Sequence, residues 1–175
     1  VFAPVSLSRK GREQKAAKNG FVRVAHGFML PLLYRFDHKG EGLDMMERDF
    51  VLLGKLLQTA GAFLVCSGGF QQGIELAFIL FEFVESTRVM RHREAFVRKC
   101  AVQAVHQVTK TIPAVLVSAS SEAGGNLSYE KVHDALFAVA RHDSDEECRV
   151  LAALALQEFQ QKCSDHLTPK IQVLS

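Results

Sequence analysis

The sequence predicts an all-α protein, an α-α superhelix of about three stacked helix pairs. Apolar residues recur at helical spacing in six segments, and glycine, proline or polar clusters separate these segments. Strand signals are almost absent, because the one β-branched run, residues 112–117, is interrupted by Pro113. Six helices joined by turns therefore account for most of the chain.

Length and composition indicate a folded domain. The 175 residues are enough to bury a substantial core, and 48% hydrophobic with 23% charged residues excludes a disordered chain. The formal net charge of +2 is too small to predict a nucleic-acid or membrane partner. The four cysteines form no CxxC pair and are expected to be buried, reduced thiols of an intracellular protein. The longest apolar stretch, residues 74–84, contains two glutamates and is too short to span a bilayer.

The chain is expected to be a C-terminal fragment of a longer protein. It begins without an initiator Met, and residues 1–20 form a polar, basic segment that is typical of a linker from an upstream region. The predicted domain covers residues 21–165, and residues 166–175, with Pro169, are expected to be a frayed tail.

The first predicted helix pair covers residues 21–66. Its first helix has an apolar stripe at four-residue steps, which Pro31 should kink or end near Leu30. The stripe consists of Val24, Phe28, Leu32 and Phe36. The second helix runs from about Met45 to Cys66, and Gly68-Gly69 stops it. Its predicted apolar face consists of Phe50, Leu53, Leu57, Phe63 and Leu64.

The second pair covers residues 71–111, and its third helix, from about Gln71 to Thr87, has so little polar surface that it should be central. The fourth helix runs from about Glu94 to Thr111, and a Ser/Ala/Gly-rich loop over residues 118–126 follows it. The third pair covers residues 127–163. Ser128 should cap the fifth helix, and Ser144 with Glu147 should form a capping box on the sixth, which begins at Asp145. The predicted stripe of the fifth helix consists of Val132, Leu136, Phe137 and Ala140.

The fourth and sixth helices repeat one pattern. Placing Arg98 on Arg149 also places Ala101 on Ala152, Ala104 on Ala155 and Val108 on Phe159. An acidic opening followed by Val-Arg-x-x-Ala is typical of the second helix of a HEAT repeat, although the offset of 51 residues exceeds the usual ~40–47. Arg98 and Arg149 are therefore predicted to be structural, each bonding an acidic side chain or a carbonyl of the adjoining repeat. A six-helix globular bundle with tight alanine packing is the alternative.

Nothing in the sequence favours an active site. The seven histidines are scattered without a metal-binding spacing, no phosphate loop occurs, and the Cys66-Ser67-Gly68-Gly69 run lacks the strand that precedes a nucleophile turn. We therefore predict no enzyme activity, metal or cofactor. The candidate binding surface is a basic cluster between the third and fourth helices, made of Arg88, Arg91, Arg93 and Lys99, which nearby glutamates partly neutralise.

Four segments together resemble a known family. They are Phe28-Met-Leu-Pro-Leu-Leu-Tyr-Arg-Phe-Asp37, Leu53-Gly-Lys-Leu-Leu-Gln-Thr-Ala-Gly-Ala62, Phe81-Glu-Phe-Val84 through Arg91-His-Arg-Glu-Ala-Phe-Val-Arg98, and Asp145-Glu-Glu-Cys-Arg149. In their order and spacing, over residues 20–163, they are similar to the C-terminal region of the telomere length regulation protein family.

The resemblance implies a co-chaperone of the cytoplasm and nucleus. Such proteins join two other helical-repeat subunits in the TTT complex. With a heat-shock chaperone and an AAA+ adaptor complex, they promote the maturation of phosphatidylinositol 3-kinase-related kinases. The adaptor contact would lie upstream of Val1. Two hypotheses follow: a protein-binding scaffold that holds a helical-repeat partner, or a helical repeat that binds nucleic acid, telomeric DNA included, through its basic segments, which the low net charge disfavours.

Overall fold

The computed structural model describes residue 20 and residues 23–37, 47–67, 71–118 and 127–167. For Asp37 and residues 165–167 it describes the backbone alone. Six helices make up most of these residues. They are α1 (Leu30–Asp37), α2 (Phe50–Cys66), α3 (Gln71–Thr87), α4 (Ala95–Thr111), α5 (Tyr129–His142) and α6 (Glu146–Leu167). Short 3₁₀ turns follow α3 and α4, at Val89–Arg91 and Ala114–Leu116. The predicted basic segment 1–20, apart from residue 20, and most of the tail lie outside the described residues.

The helices form two layers. Helices α2, α4 and α6 lie side by side in chain order, and α3 and α5 each pack against the helix that follows them in sequence. Helix α1 contacts both α2 and α3 and so begins the second layer. Consecutive helix pairs that stack through their second helices are the architecture of a helical-repeat protein. The predicted all-α superhelix of three helix pairs is confirmed.

The predicted apolar stripe of the first helix is wrong in its first half and correct in its second, where Phe36 is buried and Leu32 is partly buried against the core. Phe28 is 70% exposed and Val24 is 40% exposed, whereas Ala25, Met29 and Leu33 are buried. The cause is a π-helical turn, Ala25–Met29, which is wider than an α-helical turn and changes which side chains face the core. Pro31 directly follows this turn in a helical run that is unbroken over residues 23–37, so the proline does not end the helix, which continues to Asp37.

The contact between α2 and α4 depends on glycine. A β-carbon on Gly54 would overlap the ring of Phe96, so the absence of a side chain lets the two helices approach closely. Two turns later, Gly61 faces Ala104 and Gln107, where a β-carbon would make only ordinary contacts, the nearest at 3.6 Å. The first and second helix pairs are therefore joined by close packing.

The contact between α4 and α6 combines small side chains with polar groups. Ala101, Ala104, Ala152 and Ala155 are fully buried in the two helices. At the far end of α4, the Lys162 ammonium donates hydrogen bonds to the backbone carbonyls of Thr109, Lys110 and Ile112. These carbonyl oxygens accept no hydrogen bond from an N–H of α4, because they belong to the last turn of the helix and to the residue after it. Lys162 thus caps the preceding repeat from the following one.

Two details of the third pair differ from the prediction. Asp145, rather than Ser144, caps α6, because its carboxylate accepts the N–H of Cys148 at 3.0 Å. The Ser144 hydroxyl instead accepts a hydrogen bond from Arg98. In α5, Phe137 is 44% exposed and Val139 takes its place in the core. The Ser128 cap of α5 is present, with its hydroxyl accepting the N–H of Lys131.

The loop between α4 and α5 contains the strand structure of the described residues. Two-residue strands β1 (Val117–Ser118) and β2 (Leu127–Ser128) pair in parallel.

Three of the four cysteines are buried, but Cys66 is exposed, contrary to the prediction. Burial raises the pKa of the Cys148 thiol to about 11, so this thiol stays protonated at neutral pH. None of the described helices combines the length and apolarity needed to cross a membrane.

The two glycines of α2 make a matched test of close packing. Gly54→Ala should lower the free energy of unfolding by about 1–3 kcal/mol, because the partly buried ring of Phe96 must move. Gly61→Ala should be neutral or stabilising by up to about 1 kcal/mol, since alanine favours helix and meets no close neighbour. Urea denaturation followed by circular dichroism measures both, and equal effects of the two substitutions would contradict the account.

Candidate functional site

An arginine–aspartate pair joins the second and third helix pairs. Arg98, near the start of α4, donates from Nε to Asp143 Oδ2 at 2.7 Å and from Nη2 to Oδ1 at 2.8 Å. Its Nη1 donates to the carbonyls of His92 and Arg93, both at 2.8 Å. The side chains are only 10% and 4% exposed, so this is a buried, bidentate and fully hydrogen-bonded ion pair. Hydrogen bonds from Arg98 lower the pKa of Asp143 below its ordinary value.

Arg149 occupies the corresponding position in α6. Its Nη1 donates to the carbonyl of Asp143 at 2.8 Å, six residues earlier, just as Arg98 Nη1 donates to the carbonyl of His92, also six residues earlier. The same hydrogen bond thus recurs at the two positions that the sequence aligned. Arg149 differs from Arg98 in bonding its own turn, with no carboxylate partner among the described residues.

A groove of about 950 Å³ opens between α3 and α5, beside this ion pair. Buried apolar side chains form its floor, among them Phe81, Val84, Met90 and Val139. Five cations and three anions line it, counting Arg98 and Asp143. An apolar floor with a cationic rim suits an acidic segment that has some apolar side chains of its own.

Most of the charges on the rim are already paired. Lys131 of α5 bonds Glu85 of α3 at 3.0 Å across the groove, and Arg93 bonds Glu94 at 3.4 Å. Arg88 and Arg91 are exposed and have no ion-pair partner among the described residues. Arg88 has a left-handed backbone, with φ of 56°, at the turn that ends α3. These two guanidinium groups are therefore the ones available to a bound anion.

The structure separates the four residues of the predicted basic cluster. Arg88, Arg91 and Arg93 line the groove, but Lys99 does not and pairs instead with Asp145, the N-cap of α6, and with Glu147 of α6. Ala101 and Ala152 lie in the contact between α4 and α6. Sequence reasoning did not find Asp143 or Lys131, because their partners lie 45 and 46 residues away. Only the repeat pattern, with an acidic residue six positions before Arg149, could have indicated Asp143.

The chain is similar to curated proteins over most of its length. It is 33% identical to the human telomere length regulation protein TEL2 homolog over 167 residues, 93% of this chain and 19% of that protein. The chain belongs to the telomere length regulation protein family. The mouse family member is 31% identical over 147 residues, 83% of the chain and 16% of the relative. The Xenopus tropicalis member is 27% identical over 138 residues, 78% of the chain.

The chain spans less than a fifth of the length of these relatives. Neither a protein-family model nor a solved structure matches it. The family resemblance predicted from the sequence is confirmed, and the stack of helix pairs described above belongs to one segment of such a protein.

The Arg98–Asp143 pair makes the stability of the fold sensitive to acid. Asp143→Asn should lower the free energy of unfolding at pH 7 by about 3–5 kcal/mol, because it leaves the buried Arg98 charge uncompensated. Asp134→Asn, the same change at a side chain that is 71% exposed, should alter it by less than about 0.5 kcal/mol. Urea titrations of the three proteins give these values.

The difference between wild type and Asp143→Asn should depend on pH. Asp143 titrates near pH 3.9 in the unfolded chain and lower in the folded chain. The stabilisation is therefore complete above about pH 5 and is lost as pH falls through the folded pKa. A difference that stays constant between pH 7 and pH 3 would show that the carboxylate charge does not stabilise this contact.

Proposed function

We propose that this chain is a protein-binding scaffold that holds a helical-repeat partner, as a segment of a telomere length regulation protein. Its membership of that family supports the proposal most directly. The proposal assigns it to the TTT complex, alongside two other helical-repeat subunits, in the cytoplasm and nucleus. It assigns the chain a binding role and no catalytic step of its own.

The biochemical role proposed for the assembly is kinase maturation. Together with a heat-shock chaperone and an AAA+ adaptor complex, it would promote the assembly and stability of phosphatidylinositol 3-kinase-related kinases. The contact with the adaptor complex is placed outside these 175 residues. This chain would contribute the contact with the partner subunits, because stacked helix pairs offer extended surfaces with repeated positions for a partner.

The groove between α3 and α5 supports the proposal physically. It is open, it has an apolar floor, and Arg88 and Arg91 on its rim form no ion pair within the part of the chain that the structure describes. Electrostatic complementarity to an acidic segment would set the orientation of the partner and speed its association. The groove is therefore the first surface on which binding should be tested.

Charge reversal on the groove rim tests this surface. Arg91→Glu should weaken capture of the helical-repeat TTT subunits in a co-purification experiment, because it replaces an exposed rim cation with an anion. Arg35→Glu, the same change on the exposed side of α1, should leave capture unchanged. If the wild-type chain captures none of these subunits, or if the Arg91→Glu variant captures them as well as the wild type does, the groove is not the binding surface.

Nucleic-acid binding is the alternative function, and Arg88, Arg91 and Arg93 on one groove rim favour it. Two observations weigh against it: Lys131 and Arg93 are neutralised by glutamates, and Phe81 of the groove is only 6% exposed, too buried for a base to stack on it. A salt titration of oligonucleotide binding separates the two functions. The scaffold proposal predicts no binding with a steep dependence on salt, whereas a steep loss of affinity with salt would favour the alternative.

A further inference from the structure

An ion pair bridges α3 and α5 across the groove. The ammonium of Lys131 lies 3.0 Å from Oε1 of Glu85 and 3.2 Å from its Oε2, so both carboxylate oxygens contact it. The two side chains are 43% and 42% exposed. Helix α3 packs against α4 and helix α5 against α6, with little backbone contact between α3 and α5 themselves. The pair is therefore a solvent-accessible link between two helices that the groove separates.

Each charge of this pair lies at the unfavourable end of its own helix. Glu85 is in the last turn of α3, where the helix end carries a partial negative charge, and Lys131 is in the first turn of α5, where the partial charge is positive. An exposed ion pair contributes little to stability, so stability does not explain this placement. Residues that depart from a local rule in this way are expected at functional sites, and both of these line the groove.

Glu85 limits the positive charge that the groove offers to an anion. Arg88 and Arg91 line the same groove and form no ion pair with any residue that the structure describes. Lys131 would be a third available cation, but the carboxylate of Glu85 already contacts it. An acidic segment in the groove would therefore gain a third cation by taking the place of Glu85 on Lys131.

Of the three carboxylates that line the groove, Glu85 is the exchangeable one. Asp143 is only 4% exposed and is held by Arg98. Asp134 lies 3.1 Å from Nδ1 of His133, which is not part of the groove lining. Among these three, the Glu85 carboxylate alone combines exposure to solvent with a contact to an exposed cation of the groove.

We propose that Glu85 occupies the position of a partner's carboxylate, so that an acidic, partly apolar segment of the partner enters the groove by displacing Glu85 from Lys131. Lys131 contacts one carboxylate before and after this exchange, and Glu85 is released into water at the surface of α3. The inference rests on the proposed scaffold function. It adds the residue that the partner must displace and the cation that the partner then contacts.

The occupant of the groove is assigned by charge. Arg88, Arg91 and a released Lys131 surround a floor of buried apolar side chains, which fits a segment that carries both carboxylates and apolar side chains. The basic segment 1–20 of this chain contains five cations and one anion, so the cations of the groove repel it. A second copy of this chain is the competing occupant and is an outcome of the test.

A double-mutant cycle on binding tests the exchange. Glu85→Gln should strengthen binding to the helical-repeat TTT subunits about two- to fivefold, because the partner no longer has to break an ion pair to reach Lys131. The same substitution in a Lys131→Gln background should give no gain, since the contested cation is absent. Biolayer interferometry at ~150 mM salt, which screens charges more than about 8 Å apart, measures these affinities.

Glu82→Gln is the matched control. It removes another exposed glutamate of α3, one that does not line the groove, and should bind as the wild type does. All the variants should unfold at the wild-type temperature, because the substituted side chains are exposed.

The outcomes separate this inference from the proposed function. Failure of the wild-type chain to bind any of these subunits overturns the proposed function and the inference with it. Wild-type binding that Glu85→Gln leaves unchanged overturns the inference alone. An equal gain in the Lys131→Gln background or in Glu82→Gln also overturns it, because the gain would then reflect general charge repulsion. Sedimentation of the wild-type chain as a dimer that Glu85→Gln tightens would assign the groove to a second copy and overturn the assignment to a partner.

Discussion

The buried ion pair between Arg98 and Asp143 fixes how the second and third helix pairs stack. Removing two charges from water is costly, and this cost is offset because the guanidinium donates to both carboxylate oxygens and to two carbonyls. Asp143 Oδ1 also accepts the N–H of Asp145, whose own carboxylate caps α6. One side chain of α4 therefore positions the turn from which α6 begins, and the orientation of the last helix pair depends on it.

The two contacts along the stack depend on different interactions. Between α2 and α4 the glycine at position 54 allows close approach, whereas between α4 and α6 an ion pair and the Lys162 cap hold helices whose small residues are alanines. On the other layer, α3 and α5 are joined across an open groove by Lys131 and Glu85. The contacts among α2, α4 and α6 thus hold the stack together, whereas α3 and α5 border the groove.

The sequence predicted the helices and their pairing, because the helical spacing of apolar residues and the glycines between the segments are local signals. It also aligned Arg98 with Arg149, since a repeat is visible as self-similarity. The partner of Arg98 was not predicted, because Asp143, Ser144 and Asp145 offer three adjacent polar side chains and only the packed turn decides their roles. The π-helical turn before Pro31 and the separation of Lys99 from the groove depend likewise on packing between distant segments.

The coupling between Arg98 and Asp143 is the central interaction of this structure. A double-mutant cycle with Arg98→Met, Asp143→Asn and the double variant measures it directly through urea denaturation at pH 7. A buried, bidentate pair that joins two repeats predicts that the double variant is more stable than the sum of the single effects, with a coupling free energy of about 1.5 kcal/mol or more. Single effects that add within about 0.5 kcal/mol would contradict it, because they would show that the two side chains do not act together.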